Sequence, residues 1–510
     1  MESSILKLQN GSDIRGIAMD GIEGEKINLF TESAFVIGQA FAIWFSKKSG
    51  KACEEINVGI GMDSRLTGPA LSQALAKGLL SQKVNVTLCG LATTPAMFMS
   101  IVFPQTKFDA SVMITASHLP FNRNGIKFFD KDGGAESQDI REILQTAEKL
   151  QSEEGMEKIK SLEKEISLGG IKNFDLLSLY ADHLKTAIIK GCKNGEKPLS
   201  GLKIIVDAGN GSGGFFAEKI LSPLGADTKG SQFLNPDGHF PNHIPNPENK
   251  EAMLSIQNAT VKNKADLGLI FDTDVDRMSA VLSDGSEINR DAIIAMIAAI
   301  LAPENPGSTI VTDSVTSDRL TLFLEEKLGL KHLRYMRGYK NVINKQKELN
   351  AQGINCPLAM ETSGHGALKE NYYLDDGSYL AVKLIIALSL CKKENKNLDF
   401  YIKDLPPAGV EGEYRFKLLT EDFKTYGKEV LETFKKRAQE KVYTLPQSFE
   451  GVRISFQSPL ASGWLLLRLS LHDPVMPMNI EGKTKADHEK IKNIAKELLQ
   501  GFSKLDTTCL

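Results

Sequence analysis

Three times along the chain a short apolar strand runs into a small polar turn and then into an amphipathic helical run. That repeat restricts the fold more than any other feature. Residues 56–60 lead through Gly61-Met62-Asp63-Ser64-Arg65 to a run ending at Leu80, followed by a strand at 84–88. Residues 202–206 lead through Asp207-Ala208-Gly209-Asn210-Gly211 to Leu221 and a Leu224-Gly225 stop. Residues 309–312 lead through Asp313-Ser314-Val315-Thr316-Ser317 to Leu328 and Gly329. A unit of this order buries its strand under its own helix, so three of them predict three similar α/β domains with parallel or mixed sheets. The Glu- and Lys-rich stretch 145–168 reads as a solvated helix pair and linker. A second polar connection, Lys392-Lys393-Glu394-Asn395-Lys396, precedes Pro406-Pro407 and marks the border of a fourth, C-terminal domain.

At 510 residues the chain is long enough for several cores, and 42% hydrophobic with 25% charged residues is an ordinary globular composition. A formal net charge of −3 carries no signature of a nucleic-acid binder, so a small-molecule ligand is expected. The six cysteines (Cys53, Cys89, Cys192, Cys356, Cys391, Cys509) are scattered without a C-x-x-C pair, which argues against a disulfide framework or structural zinc. No apolar run has the length of a membrane span, and Met1-Glu2-Ser3 opens no signal peptide. The expected location is cytoplasmic, with plastid residence left open if a transit peptide has been removed.

Four loops carry candidate chemistry. Residues 109–114 read as a strand that runs out into Thr115-Ala116-Ser117-His118 and Pro120, with a second strand after it. Ligands of α/β sheets bind at the carboxyl ends of strands, so Ser117 is either a nucleophile or phosphate carrier there, or a turn serine satisfying local donors. Asp272, Asp274 and Asp276 follow an apolar strand at 267–270. Alternate side chains of an extended chain share a face, so the three carboxylates can converge on one hard cation such as Mg²⁺; the alternative is an exposed acidic turn. Glu361-Thr362-Ser363-Gly364-His365 offers a carboxylate and a hydroxyl to a sugar diol, though a helix N-cap explains the serine equally well. Gly11-Ser12-Asp13-Ile14-Arg15-Gly16 is a polar turn with one arginine.

Thr115-Ala116-Ser117-His118 with Pro120 and Asn124-Gly125-Ile126-Lys127 resembles the active-serine loop of the α-D-phosphohexomutases, the phosphoglucomutase and phosphomannomutase superfamily. Leu119 departs from that pattern, which favours Asn. Asp272-Thr273-Asp274-Val275-Asp276-Arg277 resembles the family's D-G-D-G-D-R metal loop, with Thr273 and Val275 in place of glycines. A β-branched residue does not take a positive φ cheaply. Val275 therefore adopts an ordinary backbone conformation or strains the loop. The Glu361 to His365 stretch, with Asp376-Gly377 after it, resembles the sugar loop, and Arg15 falls on the arginine of the N-terminal loop. Glu450-Gly451-Val452-Arg453 and Arg468-Leu469-Ser470-Leu471-His472-Asp473-Pro474 resemble the last domain, but Leu471 stands where small residues are favoured and one arginine of the phosphate loop is missing.

The resemblance implies three similar mixed-sheet α/β domains (1–165, 166–304 and 305–405) and a smaller α+β domain (406–510) around a central cleft. It implies a phosphohexomutase that interconverts hexose 1- and 6-phosphates through a phosphoserine and a bisphosphorylated sugar. Ser117 is the phosphoryl carrier and, with Asp272, Asp274 and Asp276, a ligand of Mg²⁺. Arg15 supplies positive field, Lys127 moves a proton at the sugar hydroxyl, and His118 is its understudy. Arg277, Lys340, Glu361, Ser363, His365, Arg453, Arg468, Ser470 and His472 are expected on the substrate. A hexose 1,6-bisphosphate is the implied activator. The expected partner is a hexose phosphate, without nucleic acid or membrane, on a monomer or dimer. Two other readings stay open: a sugar-phosphate-binding or regulatory relative that lost turnover, and a metal-dependent phosphatase.

Overall fold

The computed structural model describes residues 4–470 and 473–510. The chain divides into two compact units. One runs up to Asn289 and takes in Ser363–Gly366 and Tyr373–Leu398; the other holds Arg290–Thr362, Ala367–Tyr372 and Asp399–Leu510.

In the first unit a large sheet contains β1 (Asp13–Ile17), β2 (Asn57–Met62), β3 (Asn85–Leu91), β4 (Ala110–Ile114) and β5 (Arg123–Asp130). Their order is β1-β5-β4-β2-β3. Strands β2, β3 and β4 are parallel, as crossover helices require, while β5 returns antiparallel to β4 and to β1. The sheet is therefore mixed, as expected. Every residue of β4 is buried, and Phe128 of β5 stacks on Phe41 of the helix Thr31–Ser49 with centroids 4.4 Å apart. The Glu/Lys-rich stretch forms two helices, Ser137–Glu154 and Met156–Glu165, separated by Gly155 at φ +75°.

A second mixed sheet in this unit pairs β6 (Ile204–Asp207) parallel to β7 (Leu267–Phe271), with β8 (Met278–Leu282) antiparallel to β7. The helical run expected up to Leu221 is a single wide π turn, Phe216–Leu221. Helix Gly377–Lys393, capped by the Asp376 carboxylate, packs against helix Leu176–Cys192.

In the second unit, β9 (Thr309–Thr312) lies between and parallel to β10 (Lys331–Arg334) and β11 (Leu358–Met360). A further sheet is wholly antiparallel: β13 (Val452–Phe456), β14 (Gly463–Leu467) and β15 (Val475–Gly482) pair in turn, and β15 pairs β12 (Val410–Leu418). Helices Phe423–Glu440 and Lys485–Leu498 cover it over a core that includes Phe416, Phe434 and Ile491. No helix among the described residues is long and apolar enough to cross a membrane.

Candidate active site

Three loops of the first unit meet around Ser117. The serine follows β4 at the carboxyl edge of the parallel strands, is 3% exposed, and has φ +51°, a left-handed conformation that side chains rarely adopt outside functional turns. Its N–H donates to Thr115 Oγ1 at 2.8 Å. Its hydroxyl donates to Asp272 Oδ2 at 3.1 Å, and Arg277 Nη2 donates to that hydroxyl at 3.1 Å. The plain turn-serine alternative does not account for this convergence.

Asp272, Asp274 and Asp276 place carboxylate oxygens within 4.8 Å of one another, all buried. They converge for a different reason than extended alternation. The segment after β7 is the tight connection of an antiparallel pair: Asp272 N–H reaches Arg277 O at 3.4 Å, and Val275 N–H reaches Asp272 O at 3.4 Å. Val275 turns the chain at φ +65° while its side chain is fully buried, so the loop keeps its shape by holding a β-branched residue in a strained conformation. Behind the loop, a Cβ on Gly211 would lie 2.7 Å from Thr273 O, so the Asp207–Gly211 turn can approach only as glycine.

Lys127, on β5, is 4% exposed rather than a solvated strand lysine. Its Nζ donates to Asp274 Oδ2 at 3.1 Å and Asp276 Oδ2 at 2.6 Å. Burial raises the Asp276 pKa, but Lys127, His365 and Arg277 outweigh it and hold the carboxyl well below its usual range. Asp272 goes the other way: burial, Asp276 and Asp274 push it well up. Among the described residues, Asp274 Oδ1 is buried without a hydrogen-bond donor, and Asp276 Oδ1 is faced only at long range, by His365 Nε2 at 3.5 Å and Arg277 Nε at 4.0 Å. Buried carboxylate oxygens in that state fit a hard divalent cation. His118 Nδ1 accepts from the Arg277 guanidinium and lies 3.2 Å from Ser117 Oγ, whose own proton goes to Asp272. Burial, Arg277 and Arg15 push the His118 pKa down to about 2, so the imidazole is neutral and serves as an acceptor. Arg15, beside Asp13 at 2.9 Å, contributes field to this cluster rather than a direct bond to Ser117.

His365 also joins the site, with Nε2 3.5 Å from Asp276 Oδ1 and 3.8 Å from Asp375 Oδ2. Ser363 is not a helix cap; it sits in a turn and bonds His365 Nδ1 at 2.9 Å. Three residues escaped the sequence reading. Thr94 caps the Asp274 carboxylate at 2.5 Å, Glu248 lies 3.7 Å from Arg277 Nη1, and Asp375 flanks His365. A threonine in an apolar helix start and a glutamate in a loop carry no local motif.

The remaining candidates lie in the second unit. Glu361 Oε1 accepts the Gly338 N–H at 2.6 Å, just before helix Tyr339–Ala351, whose first turn holds Lys340. Glu450 Oε1 accepts the Arg337 N–H at 2.9 Å and the Ser314 hydroxyl, and its other oxygen lies 4.0 Å from Arg468 Nη1. Ser470 Oγ accepts the Asp473 N–H at 3.2 Å. Arg453 is the most enclosed of these arginines. It is 3% exposed, its guanidinium donates to Ser314 O, Thr316 O and Asp318, and its Cζ sits 3.9 Å over the Trp464 ring. Those contacts tie β13 to the turn after β9, while Nε is buried without a hydrogen-bond partner among the described residues. His472 and Leu471 lie outside the described residues.

Sequence patterns of phosphoglucomutase/phosphomannomutase α/β/α domains I, II and III match residues 7–154, 178–285 and 289–408. A phosphomannomutase/phosphoglucomutase of Pseudomonas syringae pv. tomato is 30% identical over 486 residues, covering 94% of this chain and 92% of that one. The chain belongs to this family. A phosphoglucomutase of Neisseria gonorrhoeae is 29% identical and covers 96% of this chain and 95% of its own. Among solved structures, a phosphoglucomutase/phosphomannomutase family protein of Burkholderia thailandensis superposes with a TM-score of 0.76 at 26% identity, covering 98% of both chains. The α-D-phosphohexomutase membership expected from the loops thus extends over nearly the whole chain.

Proposed function

We propose that this protein is a phosphohexomutase that interconverts the 1- and 6-phosphates of glucose or mannose, with Ser117 as the phosphoryl carrier. One observation carries the reading: a buried serine hydroxyl shared between Arg277 and Asp272, at the edge of three carboxylates that also hold Lys127. Asp272, Asp274 and Asp276, with Ser117 Oγ, would hold Mg²⁺, which supplies positive charge against phosphate oxygens when bound. Arg277, fixed by Asp272 and Glu248, faces the oxygens of a phosphoryl group on Ser117, and Arg15 adds field. Lys127 acts as the base in its neutral amine form, reached when its ammonium gives one proton to solvent; it then takes the proton of the attacking sugar hydroxyl and returns one when the second phosphoryl group goes back to Ser117. Its two aspartate partners keep the resulting ammonium in place.

On this reading Lys340, Glu361, Ser363, His365, Arg468, Ser470 and His472 contact the substrate, and Arg453 supports them without touching it. A hexose 1,6-bisphosphate loads Ser117, and the chain acts as a monomer or dimer in the cytoplasm, without nucleic acid or membrane. The proposed domain borders remain 165/166, 304/305 and 405/406. A binding-only protein has no need of a phosphorylatable serine against a buried carboxylate cluster, which sets that alternative aside.

The test incubates the protein with Mg²⁺, a trace of glucose 1,6-bisphosphate and either glucose 1-phosphate or mannose 1-phosphate. Formation of the 6-phosphate is followed beside a Ser117→Ala control. Turnover abolished by the substitution is the expected result. Absence of turnover by phosphorylated, Mg²⁺-loaded protein refutes the proposal.

A further inference from the structure

The polar turn after β2 does more than link a strand to a helix. Arg65 is 1% exposed and both terminal nitrogens of its guanidinium are directed at the segment that carries Ser117. Nη2 donates to Ser117 O at 2.5 Å and Leu119 O at 2.6 Å; Nη1 donates to Pro120 O at 2.7 Å and Arg123 O at 2.9 Å. Nε faces Asp63 Oδ2 at 3.3 Å, and Asp63 Oδ1 accepts the Arg65 N–H at 3.0 Å. The Asp63 N–H in turn donates to Ile114 O at 3.1 Å, tying the pair to the end of β4. The guanidinium is held in place: the Phe240 ring lies 5.2 Å from Cζ. A Cβ on Gly238 would come within 2.5 Å of Leu66 N, so this neighbouring loop presses on the Arg65 turn.

We infer that Arg65 is a positioning residue for phosphoryl transfer: one guanidinium gathers four backbone carbonyls of the serine loop and so fixes where the Ser117 hydroxyl points. A guanidinium has five N–H donors in a planar fork, and here four meet carbonyls while the fifth faces a carboxylate. Carbonyl dipoles of one loop repel when they converge, and a central cation reverses that. Ser117 needs this support because its φ of +51° is unfavourable for a side-chain-bearing residue. Lysine has the charge but not the fork, so it cannot reach all four oxygens. Leu119 takes part through its backbone, the carbonyl accepting from Arg65 and the N–H donating to Ala116 O at 3.2 Å, which is why its apolar side chain does not loosen the loop.

This inference rests on the mutase reading, and a misplacement of about 1 Å at a reacting atom costs roughly 100-fold in rate. Arg65→Ala and Arg65→Lys are compared with the unaltered protein in three measurements. These are kcat and KM with glucose 1-phosphate, the rate of Ser117 phosphorylation by glucose 1,6-bisphosphate followed by intact mass, and amide hydrogen exchange of residues 117–123. Expected are a kcat about 100-fold lower with KM changed by less than about threefold, slower phosphorylation, faster exchange, and partial recovery of Arg65→Ala by millimolar guanidinium chloride. Arg65→Lys keeps the charge and remains informative if the alanine variant does not fold. A folded variant with unchanged kcat, or with unchanged exchange in the loop, overturns the inference, as does Arg65→Ala that guanidinium leaves inactive. If the unaltered protein shows no turnover, the mutase reading fails, whereas the exchange measurement still decides whether Arg65 fixes the loop.

Discussion

Replacing Lys127 by methionine removes the one ammonium between Asp274 and Asp276 while keeping the length of the side chain. At an effective dielectric of 20, the contacts of 3.1 and 2.6 Å correspond to about 5 and about 6 kcal/mol of gross attraction. Desolvation of the buried charges cancels much of this. Breaking a buried pair by deleting one partner costs about 3–5 kcal/mol net, because the remaining carboxylates are stranded. At roughly 2–4 °C per kcal/mol for a unit of this size class, Lys127→Met should melt about 6–20 °C below the unaltered protein in EDTA. A divalent cation on the aspartates answers the same uncompensated charge, so Mg²⁺ should recover more than half of the deficit. Differential scanning fluorimetry with and without Mg²⁺ measures both quantities. A variant melting within about 2 °C of the unaltered protein in EDTA would refute the buried ion cluster. An equal deficit with and without Mg²⁺ would refute its role as a metal site.

Three further outcomes are expected. Val275→Gly should cost roughly 1–2 kcal/mol less than Val281→Gly, since both delete a fully buried valine but only the first relieves a left-handed φ; equal losses in thermal melts would show an unstrained loop. Asp313 has its pKa raised to about 7 by burial and by Glu361, so the native state keeps a proton that the unfolded chain gives up near pH 4. That contribution is full below about pH 4 and is lost as pH rises to about 7, a total of roughly 4 kcal/mol; Asp313→Asn should flatten the melting profile across this window, and an unaltered slope would exclude Asp313 as its source. Arg453→Met should lower stability by about 3 kcal/mol by orphaning the Ser314 and Thr316 carbonyls and the stack on Trp464. Ser117 phosphorylation by the bisphosphate should proceed in that variant at close to its normal rate, and a variant melting with the unaltered protein would count against the tie.

The parts of the site that were legible beforehand are those set by local order. Ser117 after a buried strand and three aspartates after another are near-neighbour patterns, and both stretches lie at the ends of those strands; Lys127, ten residues beyond the serine, is singled out only through the family resemblance. Local order misjudged how the aspartates meet. Extended alternation would have aligned them, whereas the chain turns back through Val275, because β8 must pair antiparallel with β7. Arg453 and Arg65 show the limit from the other side. Arg65 sits in a short polar turn and Arg453 on β13, and their positions alone do not distinguish a substrate contact from a buried tie.

The sequence by itself determined the repeated strand–turn–helix architecture and the types of chemistry available, because periodicity and turn composition act over a few residues. It also determined the family, through loops whose order and residue types survive at about 30% identity. Only the tertiary structure decided the partners. Lys127 meets Asp274 and Asp276 across 147 and 149 residues, and Ser117 meets Arg277 across 160. Such contacts depend on how sheets pack, and burial then sets the charge states: the same carboxylate type is pushed up at Asp272 and held down at Asp276. Neither effect leaves a trace in the spacing of residues along the chain.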